Sequence, residues 1–278
     1  MNAILSAIIV LAALGAVAAL LLAVAAKYMS VEENESFPAI RDCLPGANCG
    51  GCGFAGCDGY AQALAEGTET RCNLCIPGAD AVSRKLSELM GTPFEDVVEQ
   101  VAFVQCMGGC NNAKQKYDYA GITSCAAANV MYNGKLACTF GCLGLGDCVR
   151  ACPNHALRIN DQGIAVVNPR LCTGCGICTR TCPNHLVHLT ADVNRVVVTC
   201  SNTEKGAIAR QQCANACIGC KKCEKTCQQG AVTVVDNLAR IDYEKCINCG
   251  ACASVCPVGC IKISDLSGVH RFVVENKE

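Results

Sequence analysis

Cysteine spacing is the feature that leaves this chain least freedom in how it folds. Cys172, Cys175, Cys178 and Cys182 form a Cys-x2-Cys-x2-Cys-x3-Cys run ending on Pro183, and Cys246, Cys249, Cys252 and Cys256 repeat it before Pro257. Three thiolates two residues apart can wrap one corner of an iron–sulfur cube, while the fourth reaches across to a second cube. Zinc would need four thiolates at one centre, usually supplied by two separated pairs. A third run, Cys217, Cys220, Cys223 and Cys227, keeps the spacing with Gln228 in the place of proline. A fourth is altered: Cys138-x3-Cys142-x5-Cys148-x3-Cys152, followed by Pro153.

Laying the chain on itself relates these runs. Cys125, Cys138, Cys142, Cys148 and Cys152 recur at one constant offset as Cys200, Cys213, Cys217, Cys223 and Cys227. Cys172, Cys175, Cys178 and Cys182 recur as Cys246, Cys249, Cys252 and Cys256, with the offset shorter by a single position. This is the mark of a duplicated two-cluster unit. Leu145 occupies the position that matches Cys220, so the first copy lacks one standard ligand. Cys138 is the expected replacement, with a [3Fe-4S] cluster as the alternative. Short apolar stretches flank each run, "HALRIN" and "GIAVVN" in the first copy and "GAVTVVDN" and "LARIDY" in the second, and predict strand pairs. The runs match the bacterial two-cluster ferredoxin pattern. By its crossover rule, Cys138, Cys142 and Cys148 join Cys182, and Cys152 joins Cys172, Cys175 and Cys178. In the second copy Cys217, Cys220 and Cys223 join Cys256, and Cys227 joins Cys246, Cys249 and Cys252.

Upstream, "PGANCGGCGFAGCDGY" holds Cys49, Cys52 and Cys57 within nine residues, and Cys75 follows across the helix-like "DGYAQALAEG". These four predict one further cube, with Cys75 preferred to Cys72 because Ile-Pro-Gly turns the chain back after it. Of the eight remaining cysteines, Cys106, Cys110 and Cys125, with Cys200 or Cys213, are candidates for a sixth cluster. Cys43, Cys72 and Cys260 read as buried free thiols, which behave as small hydrophobes. Five or six [4Fe-4S] clusters are therefore expected. With 28 cysteines in tight runs, a disulfide scaffold is disfavoured and a reducing compartment is implied.

The first residues differ from the rest. "NAILSAIIVLAALGAVAALLLAVAA" is uncharged and precedes Lys27. Its length matches a bilayer core, and it lacks the basic start and short apolar stretch of a signal peptide. A retained single-pass transmembrane anchor in the lipid bilayer of the plasma membrane is expected, with the cluster domains on the cytoplasmic side. The net charge of −1 argues against a nucleic-acid partner. No Rossmann fingerprint is apparent: "GCLGLGD" lies within a cysteine run and follows no predicted strand.

The expected fold class is α+β: a single N-terminal transmembrane helix, a small helical four-cysteine domain, then two tandem ferredoxin-like modules. The expected segments are an anchor at 1–27, an N-terminal [4Fe-4S] domain at 28–95 and a connecting segment at 96–135. A first ferredoxin-like module at 136–190, a second connection at 191–215 and a second module at 216–278 complete the chain.

In the order of its apolar start, "LPGANCGGCGFAGC", "CIPG" and the later cysteine runs, the chain resembles the RnfB family, a component of the membrane-bound ferredoxin:NAD oxidoreductases called Rnf complexes. The resemblance implies electron entry from reduced ferredoxin and relay to other subunits, coupled to NAD reduction and to Na+ or H+ translocation. Other Rnf components carry a flavin-attachment motif that this chain lacks, so no complete NAD or flavin site is expected here. The related Rsx-type complexes, which reduce an iron–sulfur regulator, share the same parts. A structural cysteine-rich zinc protein and a free-standing polyferredoxin are the other readings. Lys205, Arg210, Lys221, Lys222 and Lys225 surround the third run and form either a docking patch for an acidic ferredoxin or a solvated lysine face.

Overall fold

A computed structural model describes residues 2–28 and 36–266, with side chains in the first stretch given for residue 9 and residues 12–24. The elements in chain order are α1 (Asn2–Tyr28), α2 (Ser36–Cys43), α3 (Cys57–Ala65), α4 (Ala79–Met90) and β1 (Gln100–Val104). There follow α5 (Cys125–Val130), α6 (Asp147–Arg150), β2 (Leu157–Ile159), β3 (Ala165–Val167), α7 (Ile177–Thr181) and β4 (Val187–Ala191). The last are β5 (Val196–Val198), α8 (Gly206–Gln212), α9 (Lys222–Thr226), β6 (Val232–Val235), β7 (Leu238–Ile241), α10 (Ala251–Ser254) and β8 (Ile261–Ile263).

The expected transmembrane helix is not supported. Among the described residues no helix is long and apolar enough to cross a membrane. The fold is a set of small mixed helix–strand domains. The tail of the expected second module, 267–278, lies outside the described residues.

Helices α2, α3 and α4 pack around Ile40, Tyr60, Leu64 and Leu86, all at most 1% exposed. Helix α3 follows the glycine-rich cysteine loop, and Tyr60 on it donates its hydroxyl to the Arg71 carbonyl at 2.7 Å. This one bond ties the helix to the segment that carries Cys72 and Cys75.

The rest consists of two copies of one design. In the first, the outer pair β1–β4 and the inner hairpin β2–β3 are antiparallel; in the second, β5–β8 and β6–β7 do the same. The inner hairpins fall on the four apolar stretches singled out in the sequence. The outer strands β1 and β5 lie in what reads as connecting sequence, so each module begins earlier than its cysteine run. The buried cysteines and the strand residues Val101, Val187, Val196 and Ile261 form the two module cores.

One backbone rule shapes all four runs. The two positions flanking the middle residue of each run (Leu145, Cys175, Cys220 and Cys249) take a left-handed conformation: Gly144 and Gly146, Gly174 and Gly176, Gly219 and Lys221, Asn248 and Gly250. Glycine fills most of these places because a Cβ is penalised there. Gly144 has a second constraint, since an added Cβ would lie 2.1 Å from the Gly163 carbonyl oxygen. Gly144→Ala is expected to destabilise the first module by about 2–4 kcal/mol, from the left-handed penalty and overpacking together. Thermal denaturation followed through cluster absorbance measures it; Gly163→Ala, whose Cβ meets nothing within 4 Å, should cost less.

Candidate iron–sulfur sites

Cysteines gather four at a time around the cavities of the two modules. In the second module Cys227, Cys246, Cys249 and Cys252 line one cavity, and Cys217, Cys220, Cys223 and Cys256 line the next, joined by Cys260. In the first module Cys152, Cys172, Cys175 and Cys178 line a cavity. These three groupings are the crossover sets read from the runs. The crossing follows from two short helices per module. Helices α6 and α7 carry Cys148 and Cys178 and lead directly into Cys152 and Cys182, and α9 and α10 repeat this.

The remaining first-module set has a different fourth member. A cavity is lined by Cys142, Cys148, Cys182 and Cys125. Cys138 is absent from that lining and stands elsewhere. Cys125 opens α5, whose first turn is tied to α6 through Asp147. Ser124 caps α5 by accepting from the Ala127 amide at 3.4 Å, and its hydroxyl donates to Asp147 at 3.0 Å. The Ala126 amide also donates to Asp147 at 3.0 Å. Burial pushes the Asp147 carboxyl up, but amides of Ala126 and Cys125, the Ser124 hydroxyl and Arg150 together hold it below its ordinary value. The carboxylate thus stays charged and ties the start of α5 to α6, with Leu145 packed against the hydrophobic cluster that contains Cys125.

A second cavity is lined by Cys106, Cys138, Cys200 and Cys213. It lies between the modules and takes two cysteines from each. Cys106 follows β1 and Cys200 follows β5, in both cases with one residue between. Each accepts the amide two residues on, from Gly108 and Asn202 at 3.4 Å. Each also accepts the amide of the first ligand of its own module's run: Cys142 to Cys106 at 3.4 Å and Cys217 to Cys200 at 3.3 Å. Cys106 and Cys200 are therefore equivalent, as are Cys138 and Cys213, and the site has approximate twofold character. Asn202 breaks the symmetry. Only 1% exposed, it donates its side-chain amide to Cys138 Sγ at 3.4 Å and to Gln212 at 2.9 Å. Gly108 stands in its place in the first module, where an added Cβ would lie 3.2 Å from Cys213 Sγ.

In the N-terminal domain Cys57 and Cys75 are buried, and Cys49 and Cys52 are half-buried. Burial, followed by the mutual repulsion of Cys57, Cys52 and Cys49, raises the Cys75 thiol to about 11. Cys72 instead faces the Thr92 hydroxyl at 3.4 Å, and Cys43 donates to the Ala39 carbonyl at 3.3 Å. Cys110 is exposed and lines none of these cavities. His155 and His185 occupy left-handed turns three residues after Cys152 and Cys182, where Gly230 and Gly259 stand in the second module. Those turns aim the next amides at sulfur: Ala156 donates to Cys152 at 3.3 Å and Leu186 to Cys182 at 3.4 Å.

The donor chemistry fits clusters. Each set offers four thiols, and amides are directed at sulfur in several of them. Among the described residues no three His, Cys, Asp or Glu side chains converge tightly enough to hold a single metal ion. Four thiols spread around a cavity suit a larger group. Burial pushes Cys106, Cys148 and Cys178 up to about 12 and Cys200 and Cys223 to about 11. Such thiols lose their protons only when a cation takes their place, so loading with iron releases them.

The sets also form a series. Arg180, just after Cys178, donates to the Cys49 carbonyl. Burial first, and then the charge on Cys49 ahead of that on Cys172, raises the Cys175 thiol. That places the N-terminal set beside the Cys172 set. Helices α6 and α7 join the Cys172 set to the Cys125 set. The Cys142-to-Cys106 bond joins the Cys125 set to the intermodule set, and the Cys217-to-Cys200 bond joins that to the second module.

Comparison with known proteins agrees with this layout. An Fe-S cluster family model matches residues 44–77, and a 4Fe-4S dicluster domain matches residues 137–214 and 216–263. A protein of Methanosarcina acetivorans, named as the B component of an ion-translocating oxidoreductase complex, is 41% identical over 88% of this chain and 92% of that one. The B component of the Na(+)-translocating ferredoxin:NAD(+) oxidoreductase complex of Acetobacterium woodii is 40% identical over 88% of this chain and 73% of its own length. The proton-translocating counterpart of Clostridium ljungdahlii is 37% identical over 87% and 85%. With two-cluster domains on the cysteine runs and such identity along most of its length, the chain belongs to the RnfB family, the B components of Rnf-type ion-translocating oxidoreductase complexes.

Proposed function

We propose that this chain accepts electrons from reduced ferredoxin and relays them to other subunits of an Rnf-type complex, where NAD is reduced and Na+ or H+ is moved. Its cluster domains sit on the cytoplasmic face of that plasma-membrane complex. The relay uses six [4Fe-4S] clusters. Their proposed ligands are Cys49, Cys52, Cys57 and Cys75; Cys152, Cys172, Cys175 and Cys178; Cys125, Cys142, Cys148 and Cys182. The other three sets are Cys106, Cys138, Cys200 and Cys213; Cys217, Cys220, Cys223 and Cys256; and Cys227, Cys246, Cys249 and Cys252. When bound, each cluster supplies a one-electron carrier. The observation that carries this reading is the unbroken series of four-thiol sets, each linked to the next by a hydrogen bond or a shared helix.

The residues around the sets hold sulfur in place. Amides of Ala102, Ala156, Leu186, Cys142 and Cys217 point at thiol sulfurs, and such bonds set reduction potentials. Cys220 and Cys249 are exposed, which makes the second module the end where a carrier protein can approach. The basic residues lie there. Lys205, Arg210, Lys221, Lys222 and Lys225 are all exposed, and Lys221 is only loosely paired, 3.9 Å from Glu224. Ferredoxin docks on this patch by charge complementarity. Reversing Lys221 and Lys222 to glutamate is expected to lower the ferredoxin oxidation rate about tenfold at low salt and to flatten its salt dependence. Stopped-flow oxidation of reduced ferredoxin across a salt series tests this. An unchanged rate and slope would place the docking site elsewhere.

A further inference from the structure

Cys260 stands outside the six sets, yet it is the fifth thiol on the Cys217 cavity. It is 2% exposed, with its sulfur 3.6 Å from Cys256 Sγ. Cys217 lines the same cavity. One buried side chain thus touches a thiol of the set and shares a cavity with all four.

The internal duplication supplies a comparison. Cys260 comes four residues after Cys256 and directly before β8; Leu186 comes four residues after Cys182 and directly before β4. Their carbonyls play the same part, accepting from Thr199 and Gln105 at 2.7 Å. Leu186 lines the Cys125 cavity as Cys260 lines the Cys217 cavity. In the first module, packing at this position is done by leucine. The second module has a metal-ligating side chain there instead, in contact with the ligand whose iron it could take.

We infer that Cys260 is a reserve ligand of the Cys217, Cys220, Cys223 and Cys256 site, able to bind the iron that Cys256 normally holds. The inference rests on the reading of that set as a cluster site. If the Cys256–iron bond is lost, the Cys260 S–H bond breaks, its proton passes to water, and its sulfur forms the new bond to iron. No electron moves and iron keeps its valence. Because the two sulfurs lie 3.6 Å apart, the exchange needs only a side-chain rotation. It protects the ferredoxin-facing module, where Cys220 is exposed, against loss of its fourth ligand.

The test is iron and acid-labile sulfide content of the full-length protein, purified without oxygen, with an EPR spectrum of the oxidised protein for three-iron clusters. The variants are Cys256→Ala, Cys260→Ala, the double, and Cys182→Ala as the control in the module that has leucine. Each single change in the second module should leave about 24 iron per chain, while the double should lose about one to four. Cys182→Ala, with no neighbouring thiol, should lose iron as a single change. Cys256→Ala falling as far as the double overturns the inference, and so does loss of iron in Cys260→Ala alone. If even the double keeps the wild-type content, the set holds no cluster, and the underlying site assignment fails with it. Far-ultraviolet circular dichroism separates ligand loss from misfolding: a variant that loses iron through misfolding loses its helix signal too, and a second pair with Cys260→Ser replaces it.

Discussion

A Cys106→Ala, Cys213→Ala double variant loses about four of about 24 iron atoms per chain, one [4Fe-4S] cluster's worth. It also divides the relay. Reduced ferredoxin still reduces the clusters of the second module, but reduction of those in the first module and N-terminal domain is abolished or slowed by orders of magnitude. The reason is geometric: the Cys106, Cys138, Cys200 and Cys213 cavity is the only set among the described residues that draws on both modules. One cysteine is removed from each, so neither module retains a pair plus a spare. Cys110→Ala, on an exposed thiol outside every cavity, should leave iron and relay unchanged. Iron analysis with stopped-flow reduction in the visible range reads both effects. Unchanged iron in the double variant would mean that these thiols are structural.

Asn202→Leu keeps the side chain's size and removes its N–H donor to Cys138. A donor pointing at sulfur favours the more negatively charged, reduced cluster, so its loss lowers the potential. A net hydrogen bond of about 0.5–1.5 kcal/mol corresponds to about 20–60 mV for one electron. Redox titration followed by EPR should therefore show one cluster shifted down and the others unmoved. The iron content stays at the wild-type value. Asn202→Gln, which keeps the donor, should recover part of the shift. A shift in the opposite direction, or one spread across all clusters, would assign Asn202 a packing role. Since the intermodule site is the one link between the halves, a lower potential there should also slow transfer from the second module to the first.

Much of this arrangement is legible in the sequence, for a physical reason. Ligands within a run are separated by one turn of chain, so Cys172, Cys175 and Cys178 converge through local geometry alone. The left-handed positions beside the middle ligand are written as glycine at 144, 146, 174, 176, 219 and 250. The inner hairpins, too, appear as apolar stretches between turns. What sequence spacing misplaces is whatever depends on an insertion. The constant offset pairs Cys125 with Cys200, yet the fold makes Cys106 the counterpart of Cys200. The stretch from Cys106 to Cys138 is more than twice as long as the one from Cys200 to Cys213. The excess contains α5, and with it Cys125. A motif search counts along the chain, whereas Cys125 reaches the cavity of Cys142, Cys148 and Cys182 from a separate loop tied down through Asp147.

The strand signals at "QVAFVQC" and "RVVVTC" were available as well: each is an apolar run ending two residues before a cysteine. Their partners, β4 and β8, lie across the whole of each module's cysteine runs, beyond the reach of local patterns. Asn202 carried no signal at all. Its role depends on Cys138 folding against it from 64 residues away.

The most direct test of the six-site relay is iron, acid-labile sulfide and zinc per chain in full-length protein purified without oxygen. Six four-thiol sets predict about 24 iron and about 24 sulfide, with no stoichiometric zinc. About 20 of each would contradict the intermodule site and return Cys106, Cys138, Cys200 and Cys213 to the core as thiols.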